Sequence, residues 1–286
     1  MIKQFILFVS FLGSMVYAQN NYFRAAFCYS LPTSVERFDR NDKVALDSTG
    51  SQSKETLIVG TGGRGTQYNL VYGRKLTGHL AVELGVQYFR GGTTQADFYT
   101  KIPVVGNIYT TYARQGWQLR VMPSLVVSGS CDAKVSPYAR MGLLVPVAGK
   151  TITNVTIKNP QPNNVYTVET RKLETEGAFS LGYAAAIGAN FNVNPNLAVF
   201  GEFSLQSLSA KANKTTMVEN ILDGKDILTT QKVYQKETLY VDELNPTSNN
   251  QSVNPLGYNE EKPYEDLRKY SQYGNVGINI GLKYAF

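Results

Sequence analysis

Beyond its first twenty residues, the chain repeats apolar residues at every second position, and helical i, i+3, i+4 spacing is not sustained in any window of a dozen. The clearest stretch is the last, where Val276, Ile278, Ile280, Leu282, Tyr284 and Phe286 alternate with Asn275, Gly277, Asn279, Gly281, Lys283 and Ala285. The same dyad runs through Leu80 to Tyr88, Trp117 to Val127, Phe179 to Phe191 and Val199 to Leu205, and more weakly through Phe23 to Leu31, Tyr68 to Leu76 and Ala139 to Val147. These stretches predict eight strands in an all-β chain. Short turns rich in Gly, Asn, Asp or Pro join some of them, at Leu76 to His79, Gly129 to Ser136 and Asn192 to Asn196. The other connections are long, at about 33–65, 91–112, 149–175 and 209–272.

Short and long connections alternate strictly, so one end of the sheet is trimmed and the other is overgrown. An even strand count with this asymmetry predicts an eight-stranded antiparallel up-and-down transmembrane β-barrel with three short periplasmic turns and four long outer loops. A soluble eight-stranded barrel buries its apolar face inward. Here the Leu, Ile, Val, Phe and Tyr face is too bulky for such a lumen, whereas the alternating Gly, Ala, Ser, Asn, Glu and Arg set fits one. A β-sandwich, whose strands also alternate, is the competing architecture.

Composition narrows the picture further. Only 17% of the 286 residues are charged, and aromatics reach 12% on 19 Tyr and 13 Phe. No run of eighteen apolar residues exists, which excludes a spanning helix from the sequence. The net charge of +6 carries no basic block suited to nucleic acid. Lys3, the apolar run Phe5 to Phe11 and the small-residue site Val16-Tyr17-Ala18 form a signal peptide over residues 1–18, leaving a barrel domain over 19–286. No Cys follows the expected cut, which argues against a lipoprotein anchor.

With these features together, the chain resembles small outer-membrane β-barrel proteins of the OmpA/OmpX-like kind. The last strand looks like the assembly signal of that class, with the terminal aromatic Phe286 preceded at two-residue steps by Tyr284, Leu282 and Ile280. The segment S-P-Y-A-R-M-G-L-L-V-P-V from Ser136 is similar to a strand often seen in these families. The resemblance implies recognition by the barrel-assembly machinery and insertion into a Gram-negative outer membrane, among outer-membrane lipid and lipopolysaccharide. The peptidoglycan-binding domain of full-length OmpA-type proteins has no counterpart after the final strand.

Candidate chemistry is sparse. The run T-L-I-V-G-T-G-G-R-G places Gly60, Gly62 and Gly65 at the spacing of a dinucleotide-binding turn, with Glu83 at a suitable distance. That motif needs a helix after the third Gly, and Thr66 to Lys75 alternates as a strand instead, so the glycines read as a bend where the first long loop re-enters the barrel. Outer-membrane acyltransferases, phospholipases and proteases mostly use a His; the one His here, His79, falls in a short turn. The carboxylate pairs Glu260/Glu261 and Asp39/Asp42 sit in polar loops with nothing to desolvate them. No catalytic, cofactor or metal residue is assigned, and two Cys with one His are too few for a Cys/His zinc site.

The better-supported constellation is a set of inward charges. Arg24, Glu83, Arg120, Arg140, Glu202 and Lys283 all fall on the lumen parity of their strands. Charges there must pair, because an eight-stranded lumen holds little water. They either plug and stiffen the barrel or line a narrow path for ions or small solutes. Cys28 falls on the lumen parity and Cys131 in a short turn; at roughly 3.3 Å rise per residue they lie beyond the ~7 Å Cα limit for a disulfide. In the long loops, V-T-I-K and V-Y-T-V-E-T about the turn Asn159 to Asn164 predict a hairpin standing above the membrane, and I-L-D-G-K-D-I-L at Ile221 to Leu228 predicts a second. The tracts N-P-T-S-N-N-Q and Y-N-E-E-K-P-Y-E-D read as mobile. The expectation is a monomeric, non-enzymatic barrel displaying its loops to a surface polymer or host protein, with a narrow porin-like channel as the alternative and a lipid-modifying enzyme as a third.

Overall fold

The computed structural model describes residues 21–33, 36–37, 43–46, 52–56, 59–102, 106–129, 133–161 and 165–286. The expected signal peptide, Asp39, Asp42, Cys131 and residues 162–164 of the Asn159 to Asn164 turn lie outside them. Alternation over ten or so residues builds eight strands: β1 Asn21–Pro32, β2 Gly65–Lys75, β3 Leu80–Gly91, β4 Gly106–Ser128, β5 Val135–Pro160, β6 Gly182–Asn192, β7 Leu197–Ser207 and β8 Asn275–Ala285. Each pairs antiparallel with the next. β8 returns to β1 in continuous register from Tyr22↔Ala285 to Pro32↔Asn275, which closes the barrel.

Closure gives each of the eight strands a partner on both sides, and the pleat then decides which face meets which solvent. One residue near mid-height of each strand makes the point: Phe27, Leu70, Val86, Leu125, Met141, Ile187, Phe203 and Ile278 are all exposed on the outside, Met141 at 70%. Between them on the same strands lie the buried Arg24, Asn69, Glu83, Arg120, Tyr138, Ala186, Glu202 and Asn279. The barrel is apolar outside and polar within, the arrangement of a wall facing hydrocarbon. At the end carrying the short turns, Phe23 stacks on Phe286 at 5.4 Å and tilts against Tyr72 at 5.5 Å, part of an aromatic rim. The backbone amide of Phe286 donates to the Asn21 carbonyl at 2.9 Å, so the start of β1 and the end of β8 meet there. The turns Leu76 to His79 and Asn192 to Asn196 are held by Thr77 and Asn194, whose side-chain oxygens accept backbone N–H groups two and three residues on.

At the other end the connections differ from simple loops. β4 has 23 residues and β5 has 26, against the ~9–11 needed to cross hydrocarbon. Their outer halves stay paired from Lys150↔Trp117 to Lys158↔Tyr109. Thr94–Ile102 flanks β4 on one side, and on the other Tyr166–Gly177, Ser209–Leu222, Glu237–Val241 and Tyr264–Leu267 follow β5 in turn, the last pair parallel. Both expected hairpins are present; the second turns at Asp223 and Gly224, whose φ angles of 49° and 81° suit a two-residue hairpin loop. Where a mobile tract was expected after Asn245, the described residues form a compact knot. Asn249 donates through its amide to the carbonyls of Asn259, Lys262 and Pro263, and Asn250 to the Tyr264 hydroxyl and the Glu265 carbonyl. Polar composition misled here because buried amides can replace an apolar core by satisfying backbone carbonyls.

Candidate functional site

All six inward charges point into the barrel, but they do not form one group. Arg24 on β1 lies between two carboxylates, its Nη1 3.1 Å from Glu83 Oε1 on β3 and its Nη2 3.0 Å from Glu202 Oε2 on β7. Arg140 on β5 completes a ring of alternating sign, bonded to Glu202 and 3.6 Å from Glu83. Tyr22 donates to Glu83 at 2.9 Å and Tyr138 to Glu202 at 2.8 Å, while the Arg24 guanidinium lies 4.0 Å from the Phe200 ring centroid. Both carboxylates and Arg24 are almost fully withdrawn from solvent. Two cations facing two anions give a neutral cluster, the condition under which buried charge is tolerable.

Above it, toward the long strands, is a layer of amides. Gln87 donates to Gln67 and Asn69 at 2.8 Å each, Gln206 to Gln67 at 3.1 Å, and Asn279 to Glu202 at 3.1 Å and Ser204 at 2.9 Å. Arg120 belongs to this layer, which corrects the expectation that every inward charge pairs with another. Among the described residues it forms no ion pair; Nη1 donates to Gln87 and Gln206 at 3.0 Å, and Nε to Gln118 at 2.8 Å. Its guanidinium rests 4.3 Å from the centroid of Phe89, and Nη2 is buried with no hydrogen-bond partner among the described residues. Amide oxygens and a ring face replace the carboxylate, since each presents negative potential to the cation. Lys283 stands at the opposite, short-turn end, its Nζ 4.2 Å from the Tyr22 ring centroid.

Apolar side chains also enter the lumen, contrary to the expectation of a purely small and polar interior. Phe89, Met122, Leu144, Leu208 and Tyr273 form a buried cluster across its outer end, and Tyr22, Tyr138 and Phe200 pack in the lower half. Room for these comes from inward glycines: a Cβ on Gly73 would enter the Tyr22 ring, and one on Gly281 would lie 2.7 Å from Phe200. The cavities beside the ion cluster measure about 20 Å³ and 10 Å³, each room for about one water. A wider vestibule of about 420 Å³ opens at the short-turn end beside Lys283.

The remaining candidates sit apart from this cluster. His79 is exposed in its turn, with Nδ1 3.0 Å from the Ser128 carbonyl oxygen. Strand β2 begins at Gly65, so no helix follows the glycine run. Glu261 is exposed and paired with Lys232 at 2.6 Å. Cys28 is buried in the lumen as a free thiol. Among the described residues no group of three metal-ligating side chains converges, and no helix is long and apolar enough to cross a membrane. Ile280, Leu282, Tyr284 and Phe286 all face outward. Strand parity could have found Tyr22, Gln67, Asn69, Gln87 and Asn279. Tyr273 lies before β8 and reaches the lumen only through tertiary folding.

No protein-family model matches the chain, and no curated protein does. Among solved structures it is similar to neisserial surface protein A (NspA), at 9% identity over 95% of this chain and 100% of that one, TM-score 0.37. It is also similar to the outer membrane protein OprG from Pseudomonas aeruginosa, at 15% identity over 94% and 96%, TM-score 0.37. A major outer membrane protein from Thermus thermophilus matches at 12% identity over 93% and 99%, TM-score 0.37. At these scores the likeness adds nothing to what the strand pairing already establishes. On that pairing the chain has the fold of the small outer-membrane β-barrels: eight antiparallel strands closed on themselves, apolar outside and charge-paired within.

Proposed function

We propose that the chain is a non-enzymatic protein of a Gram-negative outer membrane, whose barrel is a sealed, monomeric anchor for the sheet it carries outside. The observation that carries this reading is the division of labour along β4 and β5. Their inner halves enclose a lumen filled by the Arg24–Glu83–Arg140–Glu202 cluster and the amide layer, and their outer halves continue as a paired ribbon. A conducting pore does not need that ribbon, and a ribbon does not need a pore. Exposed Tyr109 and Tyr166, 6.1 Å apart near the far end, supply the aromatic contact surface that adhesive loops use. The single imidazole, exposed on a turn, supports a role without acid–base chemistry. The outward row ending in Phe286 is the surface that the barrel-assembly machinery would read, and lipopolysaccharide would surround the outer rim.

The display role is tested with vesicles bearing the folded protein, scored for adherence to an epithelial cell layer and to a film of purified lipopolysaccharide. Replacing residues 154–172 by a short turn removes the end of the ribbon and leaves the barrel. Adherence to either surface that is lost with the truncation supports display; equal adherence by both proteins, or by bare vesicles, contradicts it.

A further inference from the structure

The barrel wall has a slot near its outer rim. β5 pairs with β6 up to Leu144↔Gly182, and on that same side next meets Tyr166–Gly177 at Lys150↔Glu176. Between these points Val145–Gly149 is bonded only toward β4, in a ladder that slips between Pro146 and Ala148. The opposite side of the slot, residues 178–181, is drawn away from β5 toward the strand Ser209–Leu222. The Ala178 amide donates to the Lys211 carbonyl at 2.8 Å, and Ser180 Oγ accepts the Lys211 amide at 3.0 Å. The opening encloses about 650 Å³.

Its chemistry is graded. Val145, Val147 and Phe179 line the part nearest the lipid-facing wall, and Phe179 is 74% exposed. Arg114, Lys150 and Lys211 line the outer part, and two carboxylates lie against Lys150, Glu174 at 2.9 Å and Glu176 at 3.5 Å, so cations exceed carboxylates there by one. The floor is Tyr273, whose hydroxyl lies 3.1 Å from Thr151 Oγ1 and whose ring meets Phe89 edge-on at 5.9 Å. The slot therefore opens sideways at the height where the apolar belt ends, and its floor closes it from the lumen.

We propose that this slot holds one anionic lipid of the surrounding outer leaflet, the lipid A of lipopolysaccharide, with an acyl chain against Val145, Val147 and Phe179 and a phosphate against Lys150, Lys211 and Arg114; phosphatidylglycerol is its anionic stand-in in the test. Sideways opening onto lipid, an apolar lower half and an excess of cations above it match that molecule in shape and in charge. A zwitterionic lipid would match only the shape. The inference rests on the barrel lying in a membrane and not on the display role.

The chain's one Trp, Trp117, lines the slot and is the reporter. The folded chain is placed in phosphatidylcholine vesicles containing increasing fractions of brominated phosphatidylglycerol or of brominated phosphatidylcholine, and Trp117 fluorescence is read. Quenching by the anionic lipid is expected at a roughly tenfold lower fraction, and Lys150→Gln/Lys211→Gln is expected to remove that preference. The exposed and distant pair Lys158→Gln/Lys225→Gln is expected to keep it. Equal quenching by both lipids, or a preference that survives Lys150→Gln/Lys211→Gln or disappears with Lys158→Gln/Lys225→Gln, overturns the proposal. Quenching by neither lipid at any fraction contradicts the membrane reading itself, and the slot with it.

Discussion

Arg24 bridges Glu83 and Glu202 across the barrel, one guanidinium nitrogen to each carboxylate at 3.1 and 3.0 Å, so strands β1, β3 and β7 are tied through a single side chain. Arg24→Leu leaves two buried carboxylates with Arg140 as their remaining cation. The expected loss is about 3–5 kcal/mol, the usual cost of breaking a buried pair from one side. Denaturant unfolding followed by the mobility difference between folded and unfolded barrel on a gel measures it. A loss under about 1 kcal/mol, the range of exposed pairs, would mean that solvent reaches the cluster.

Gly73 and Tyr22 are predicted to be coupled, because the three atoms nearest a Cβ at Gly73 all belong to the Tyr22 side chain, at 2.2 to 2.6 Å. Gly73→Ala should cost about 1–3 kcal/mol by overpacking. With Tyr22→Ser the ring is gone, and the same alanine should cost much less, so the two losses in a double-mutant cycle will not add. Additive losses would place the strain elsewhere.

These interior relationships were legible in the sequence to different depths. Arg24, Glu83, Arg140 and Glu202 could be placed on one face because lipid outside imposes strict alternation on every strand that crosses it. The outer half of β4 carries no such signal. From Thr110 to Trp117 neither face is buried, so the chain is free of apolar alternation although it remains a strand. Arg120 shows the limit for charges, since parity gives direction but not partner. The knot at Asn249 and Asn250 is hidden for another reason: its contacts run from side chain to backbone, and backbone groups leave no trace in composition.

The outward parity of β8 predicts position-dependent costs. Ile280→Arg puts a charge on the lipid face and should cost about 2–4 kcal/mol toward the middle of the membrane. Removal of Phe286 loses the 5.4 Å stack on Phe23 at the rim and should reduce the inserted fraction in cells far more than it alters the stability of protein refolded in detergent. Membrane fractionation beside detergent unfolding separates the two effects; unchanged insertion without Phe286 would contradict its role as an assembly signal.

Asn249 is expected to hold the segment between Asn245 and Glu265 together, since its amide serves three carbonyls and its own oxygen accepts the Asn259 amide at 2.7 Å. Asn249→Ala should open this segment to protease while the barrel below stays intact. Limited proteolysis with mass mapping of the first cuts is the check, and an unchanged cutting pattern would show that the knot does not depend on this residue.

The sealed lumen is tested most directly by planar-bilayer conductance of the folded protein beside its Glu83→Gln/Glu202→Gln variant. The account predicts a silent bilayer for the native chain, because the ion cluster and the Phe89–Tyr273 cap fill the section a solute would cross. Steady steps from the native protein that change when the two carboxylates are neutralised would contradict it and make the barrel a channel.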